Sequence, residues 1–194
     1  MRELLGDAVY GAGDETLDRV VHRLLAERGA TAAAAESLTG GLIGAELTKM
    51  PGSSATFVGG VVSYATELKQ RLLGVDAALL AAEGAVHPEV ARQMAEGVRD
   101  RLGAAYGVAV TGVAGPEPQD GRPVGTVYVA VAGPGNTFRV TGPRLPVPGP
   151  GAESRAALRR MTVVHALDLL RRVLLGLDAE PAAGDARKDR EETG

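Results

Sequence analysis

The chain contains no cysteine. Disulfide staples, Cys-ligated zinc, iron–sulfur clusters and a thiolate nucleophile are therefore excluded. It has no tryptophan and only two phenylalanines, so it lacks the aromatic platform on which single-stranded nucleic acid stacks. It has no excess of basic charge: 21 basic residues face 24 acidic ones, for a net charge of -3. That balance gives no electrostatic footprint for nucleic acid or an anionic membrane surface. No apolar run approaches the ~18 residues that read as a membrane-spanning helix. The opening Met1-Arg2-Glu3-Leu4-Leu5-Gly6-Asp7 has no basic region followed by an apolar stretch, so no signal peptide is expected and the cytoplasm is the expected compartment. What the sequence does have is small residues, 27 glycines among 194 positions and alanine in runs, with 45% of the chain apolar. This suffices for one compact domain and not for two, and its core must rely on close backbone approach.

Residues 1–13 are expected to form a loosely docked arm. Asp14 is placed to cap a helix carrying Leu17, Val20, Val21, Leu24 and Leu25 on one face, ended by Arg28-Gly29. The run from Thr31 to Ala35 is helix-prone by propensity but short, and it leads into Glu36-Ser37-Leu38-Thr39-Gly40-Gly41. We read it as a strand, a glycine-rich turn and a helix from 42 to 49. Residues 51–54 are a turn, and the β-branched run at 57–64 predicts a buried strand whose Gly59 and Gly60 admit a neighbouring backbone. Short helices are expected at 66–73 and 76–83. A longer one opens at His87-Pro88, carries Val90, Met94, Val98 and Leu102 on one face, and ends at Gly103. A strand at 105–110 runs into Thr111-Gly112-Val113-Ala114-Gly115-Pro116. The Gln119-Asp120-Gly121 turn, a strand at 125–132, the hairpin turn Gly133-Pro134-Gly135-Asn136 and an antiparallel strand at 137–141 follow. Four prolines within 143–150 exclude regular structure there. A final helix at 154–177 carries Val163, Val164, Leu167, Leu170, Leu174 and Leu177 on one side, and residues 178–194, dense in charge, are expected to be a disordered tail.

Helices separate the early strands and a hairpin closes the sheet. This pattern predicts a single three-layer α/β/α domain over 14–177, with a mixed, mostly parallel five-stranded sheet. Ligands of such sheets collect beyond the carboxyl ends of the parallel strands. The segments there are 36–41, Ser63-Tyr64 and 111–116.

Ser37 sits where a strand turns into a helix. It is either a simple helix cap or an exposed nucleophile beside free N–H groups. A serine hydroxyl needs a base, and none of His22, His87 or His165 falls at a strand end. The other candidate is Lys69, beside Leu68, Leu72 and Leu73. In an apolar pocket it would lose proton affinity and could deprotonate serine, whereas on an amphipathic helix it would be an ordinary surface lysine. The small residues 111–115 suit either an oxyanion or phosphate cradle or a tight turn. Arg155 and Arg159, at i and i+4 near a helix start, suit either a phosphate or solvent.

In order along the chain stand Ala35-Glu36-Ser37-Leu38-Thr39-Gly40-Gly41, Pro51-Gly52-Ser53-Ser54, Gly59-Gly60-Val61-Val62-Ser63-Tyr64 with Lys69, Leu72-Leu73-Gly74-Val75, Gly84-Ala85-Val86, Ala109-Val110-Thr111-Gly112-Val113-Ala114-Gly115-Pro116, and Pro123-Val124-Gly125-Thr126-Val127-Tyr128. With these motifs the chain resembles the CinA C-terminal-domain family, the nicotinamide-nucleotide amidohydrolases, over about residues 14–177. The resemblance implies hydrolysis of the carboxamide of nicotinamide mononucleotide to nicotinate mononucleotide and ammonia, in pyridine nucleotide salvage, with no metal or organic cofactor. It implies Ser37 as nucleophile, Lys69 as general base, and Tyr64 and Ser54 as supports of the dyad or the substrate. Thr111 is implied near the reacting centre, with Arg155 and its neighbour Arg159 toward the phosphate. Oxyanion or substrate contacts are expected from the turn Thr39, Gly40 and Gly41 and from the loop glycines Gly112 and Gly115.

Four positions depart from the family pattern: Leu38 replaces a common cysteine, Thr66 a common asparagine, and Glu153-Ser154 a common Gly-Asp. With 13 residues ahead of the first helix, the N-terminal pyrophosphatase domain of longer relatives is not expected. The expected partners are a small nucleotide and a second copy of the chain in a dimer, with no nucleic acid and no membrane. The alternatives at this stage are a nucleotide-binding or competence-associated protein without catalysis, and an amidohydrolase for a different amide.

Overall fold

The computed structural model describes residues 7, 9–11, 13–135, 137–147, 149 and 151–177. Most of the expected N-terminal arm and all of the expected charged tail lie outside the described residues.

Helix α1 (Leu17–Glu27) starts after Thr16, two residues beyond the expected Asp14 cap, and no side chain caps it. Its inward stripe is the one that the periodicity marks: Val20, Val21, Leu24 and Leu25 are buried. His22 is buried as well. Its Nδ1 lies 2.5 Å from Thr56 Oγ1, and its Nε2 lies 2.8 Å from the Leu47 carbonyl oxygen, so it ties α1 to the segment before the second strand.

Strand β1 (Ala32–Glu36) is buried along its whole length. Alanine favours helix in isolation, but a central strand covered on both faces needs small side chains. A short helix α2 (Leu42–Leu47) and a 3-10 turn (Ser53–Ala55) precede β2 (Phe57–Val62). Then come α3 (Thr66–Leu73), α4 (Ala77–Glu83), α5 (Pro88–Leu102), β3 (Tyr106–Gly112), β4 (Val127–Ala132), β5 (Phe138–Thr141) and α6 (Ala152–Leu175).

The five strands form one sheet in the order β2-β1-β3-β4-β5. β1 pairs in parallel with β2 and β3, while β4 is antiparallel to β3 and to β5. Four strands therefore point one way and β4 alone opposes them, although only two of the four pairings are parallel. The hairpin between β4 and β5 lies where Gly133 and Pro134 predict it, closed by Gly133 N–H donating to the Thr137 carbonyl at 2.7 Å.

Helices cover both faces. On one, α1, α2 and α6 pack Leu24, Leu25, Ile43, Leu158 and Leu170 against β1, β3 and β4. On the other, α3 and α5 bring Leu73, Val90, Met94 and Val98 onto Ala33, Ala35 and Ala109. Two glycines allow this close layering. A Cβ on Gly97 of α5 would lie 1.9 Å from the Leu73 carbonyl oxygen at the end of α3, and one on Gly107 of β3 would lie 2.0 Å from the Ala95 carbonyl oxygen.

Three expectations need correction. β2 is an edge strand whose residues alternate between half-buried and exposed, because the chain adds it outside β1 and, among the described residues, no strand pairs beyond it. Val164 is 56% exposed and Leu102 38% exposed: each is slightly off the axis of its helix's inward stripe. Among the described residues no helix is long and apolar enough to cross a membrane.

Candidate active site

The carboxyl ends of β1, β2 and β3 converge. Ser37 directly follows β1, and its N–H donates to the Val110 carbonyl of β3 at 3.2 Å. Ser63 directly follows β2, and its N–H donates to the Glu36 carbonyl at 2.9 Å. The turn after β2 leads into α3, where Lys69 and Leu73, one helical turn apart, are the buried residues. Lys69 thus occupies an inward position normally held by an apolar side chain, while Leu72 is 40% exposed.

The side chain of Lys69 is 1% exposed. Its Nζ donates to the Ser63 carbonyl at 2.7 Å and lies within hydrogen-bond range, 3.2 Å, of Ser37 Oγ. Among the described residues no carboxylate forms an ion pair with it. Burial pushes the Lys69 ammonium down from its ordinary 10.5 to about 8, against the weaker opposing pull of Glu67 and Asp120. A lysine near neutrality beside a serine hydroxyl is the arrangement that general-base activation of serine requires.

Ser37 opens onto a cleft with a volume of about 90 Å³, lined also by Tyr64, Thr111, Gly112, Gly115 and Arg155, with Leu38, Ala85, Val86, Val113, Ala114, Glu117 and Gln119 completing the wall; Lys69 stands behind Ser37 and does not itself line it. Arg155, one turn into α6, donates through Nη2 to Tyr64 Oη at 2.6 Å and through Nη1 to the Gly115 carbonyl. Its guanidinium therefore bridges two walls of the cleft. Thr111 is fully buried, and its hydroxyl donates to the Ala85 carbonyl at 2.7 Å. That bond fastens the end of β3 to the 84–86 turn.

The other predicted residues fall elsewhere. Ser54 is exposed in the 3-10 turn before β2. That turn abuts the start of β1, where Ala32 N–H donates to the Thr56 carbonyl at 2.7 Å. The length of a five-residue strand, about 17 Å, separates it from Ser37, so within one chain it does not join the dyad. Arg159 does not line the cleft: its Nε donates to the Leu38 carbonyl at 3.0 Å and its Nη2 to the Thr39 carbonyl at 2.7 Å. Thr39 is fully buried, with its hydroxyl unpartnered. Gly40 and Gly41 adopt left-handed conformations, φ 59° and 98°, which only glycine takes readily.

The start of α2 is also occupied. Glu36, 3% exposed, accepts the N–H groups of Gly41 at 2.9 Å, Ile43 at 3.1 Å and Gly44 at 2.9 Å. The expected oxyanion donors at this helix start are thereby replaced by an internal carboxylate. Sequence reasoning passed over Glu36, although a lone acid between four alanines and a Gly-Gly helix start carries the signature of an anion at a helix N-terminus. The three histidines are all outside the cleft lining. His87 caps α5 by accepting Glu89 N–H.

A family model described as the CinA C-terminal domain matches residues 14–174. The chain belongs to the CinA C-terminal domain family. Its relatives include a CinA-like protein of Frankia casuarinae, 54% identical over 91% of this chain and 39% of that protein, and a CinA-like protein of Geobacter sulfurreducens, 48% identical over 90% of this chain and 41% of that protein. The chain thus spans about two-fifths of the length of these curated relatives. Solved CinA-family structures share the fold. The competence/damage inducible protein CihA of Agrobacterium tumefaciens is 34% identical with a TM-score of 0.74, covering 85% of this chain and 99% of that one. The competence damage-inducible protein A of Klebsiella pneumoniae is 31% identical with a TM-score of 0.76, covering 84% of this chain and 97% of that one.

Proposed function

We propose that this CinA-family domain hydrolyses the carboxamide of nicotinamide mononucleotide, giving nicotinate mononucleotide and ammonia, with Ser37 as nucleophile and Lys69 as general base. The observation that carries the reading is the 3.2 Å approach of Lys69 Nζ to Ser37 Oγ, with the lysine buried and, among the described residues, without a carboxylate in ion-pair contact. At pH 7 a lysine of pKa about 8 is neutral in roughly a tenth of molecules. Neutral Lys69 takes the Ser37 proton as Oγ attacks the carboxamide carbon. The resulting ammonium returns that proton to the departing ammonia. Water then attacks the acyl-serine ester, delivering its proton to Lys69, and frees the carboxylate and the hydroxyl.

The oxyanion needs donors that Glu36 has not taken. The N–H of Leu38, the residue after the nucleophile, is the first candidate. The 112–115 loop supplies the opposite wall. A cleft of about 90 Å³ exceeds several-fold the ~10–15 Å³ that admits one water, which leaves room for a carboxamide group. The ribose and phosphate then extend past Tyr64 toward Arg155 at the mouth. A cytoplasmic homodimer acting in pyridine nucleotide salvage, needing no metal or organic cofactor, completes the reading.

The test is ammonia release from nicotinamide mononucleotide compared with free nicotinamide. Release from the nucleotide, abolished in Ser37→Ala, is expected. Tight binding of the nucleotide without turnover would instead make the protein a nucleotide-binding member of its family.

A further inference from the structure

The turn that presents Ser37 is gripped from two sides by groups that do not line the cleft. From within the fold, the two oxygens of the buried Glu36 carboxylate hold three N–H donors at the start of α2, those of Gly41, Ile43 and Gly44. From the side of α6, the Arg159 guanidinium holds the two carbonyls that follow Ser37, those of Leu38 and Thr39, at 3.0 and 2.7 Å. The residues between add no side-chain bond: Gly40 and Gly41 have no side chain, and the buried Thr39 hydroxyl has no partner among the described residues, so apart from the turn's own backbone bond from Gly40 N–H to the Ser37 carbonyl at 3.0 Å the Glu36 and Arg159 side chains supply the hold. Gly40 also leaves the room that Arg159 occupies, since a Cβ there would lie 3.3 Å from Arg159 Nη2.

Resting on the reading of Ser37 as nucleophile, we propose that Glu36 and Arg159 are positioning residues. They form a two-sided clamp that holds the Ser37 hydroxyl within reach of Lys69. The chemistry suits the task on both sides. A planar guanidinium making two bonds fixes direction as well as distance, which a lysine ammonium does not. A carboxylate can accept three N–H bonds on two oxygens, whereas a glutamine turns an NH2 toward at least one of those donors. This assigns Arg159 to the protein's own backbone, in contrast to Arg155, whose side chain lines the cleft. It also explains a carboxylate at the end of an otherwise all-alanine strand.

The experiment uses the full chain and the variants Glu36→Gln, Arg159→Lys and Arg159→Ala. Two quantities are read: amide hydrogen exchange in peptides spanning 37–44, and kcat and KM for ammonia release from nicotinamide mononucleotide. The clamp predicts exchange faster by roughly tenfold, the scale of losing a helix cap. It predicts kcat lower by about 10- to 100-fold, the scale of a small misplacement of a reacting group, with KM within about twofold and an unchanged pH midpoint. Wild-type exchange in Glu36→Gln and Arg159→Lys would overturn it. So would a raised KM at unchanged kcat in Arg159→Lys, which would put Arg159 on the substrate. If Glu36→Gln fails to fold, the two Arg159 variants decide. If the wild-type protein releases no ammonia while the exchange still responds, the deamidase reading falls and the clamp stands.

Discussion

Lys69 is the residue on which the proposed chemistry turns, and its burial carries a cost in stability. Its pKa in the fold, about 8, lies below the ordinary 10.5. Below pH 8 folded and unfolded chains both hold the proton, and the fold bears the full penalty of a buried ammonium. Between pH 8 and 10.5 the unfolded chain binds more protons, so this residue makes stability rise with pH. The shift corresponds to roughly 3 kcal/mol, offset by about 1 kcal/mol for the Ser63 carbonyl that a replacement would leave unpaired. Lys69→Met should therefore be inactive yet more stable by about 2 kcal/mol at pH 7, with the gain shrinking toward pH 10. Urea unfolding at the two pH values measures this. Arg155 makes a different prediction. Its guanidinium stands at the cleft beside Tyr64, so Arg155→Ala should raise KM for the nucleotide about 10-fold or more, the worth of one hydrogen bond to a charged group, with a smaller effect on kcat. At this scale the sequence was only partly legible. Ser37 and Lys69 were identifiable as candidates, but whether Lys69 faced solvent or core depends on the rotation of α3. Ser54 was drawn toward the dyad or the substrate by its motif, and only the pairing of β1 with β2 shows that it lies at the far end of the sheet.

At the scale of elements, glycine decides how closely the layers approach. Gly97 lets α5 touch the end of α3, the helix that carries Lys69. Gly97→Ala should destabilise the fold by about 2–3 kcal/mol, read as a lowered midpoint in denaturant, and should reduce activity by shifting α3 in the molecules that still fold. The elements themselves were largely readable in the chain, because glycine and proline punctuate it and periodicity fills the intervals. The last helix and the β4–β5 hairpin illustrate this. The position of β2 was not readable: its apolar composition suits a central strand, and edge or centre is settled by which distant strand pairs with it. The clamp on the Ser37 turn was invisible for the same reason, since Arg159 reaches across more than a hundred residues of chain to two backbone carbonyls.

For the whole molecule, the fold is that of the CinA C-terminal domain, with the catalytic candidates gathered where parallel strands end. The net charge of -3 is the ground for expecting no DNA binding, which is driven by counterion release at a basic surface. Gel-shift titration at about 150 mM salt should show no complex with duplex DNA; a complex that weakens steeply with added salt would contradict that expectation. The measurement that bears most directly on the dyad is the pH dependence of kcat/KM for nicotinamide mononucleotide between pH 6.5 and 9.5, which reports the essential base of the free enzyme. The account predicts a rate that climbs about tenfold per unit at the acid end, bends near 8 and levels above it. A profile that is flat through 8, or one whose bend persists in Lys69→Ala, would contradict it.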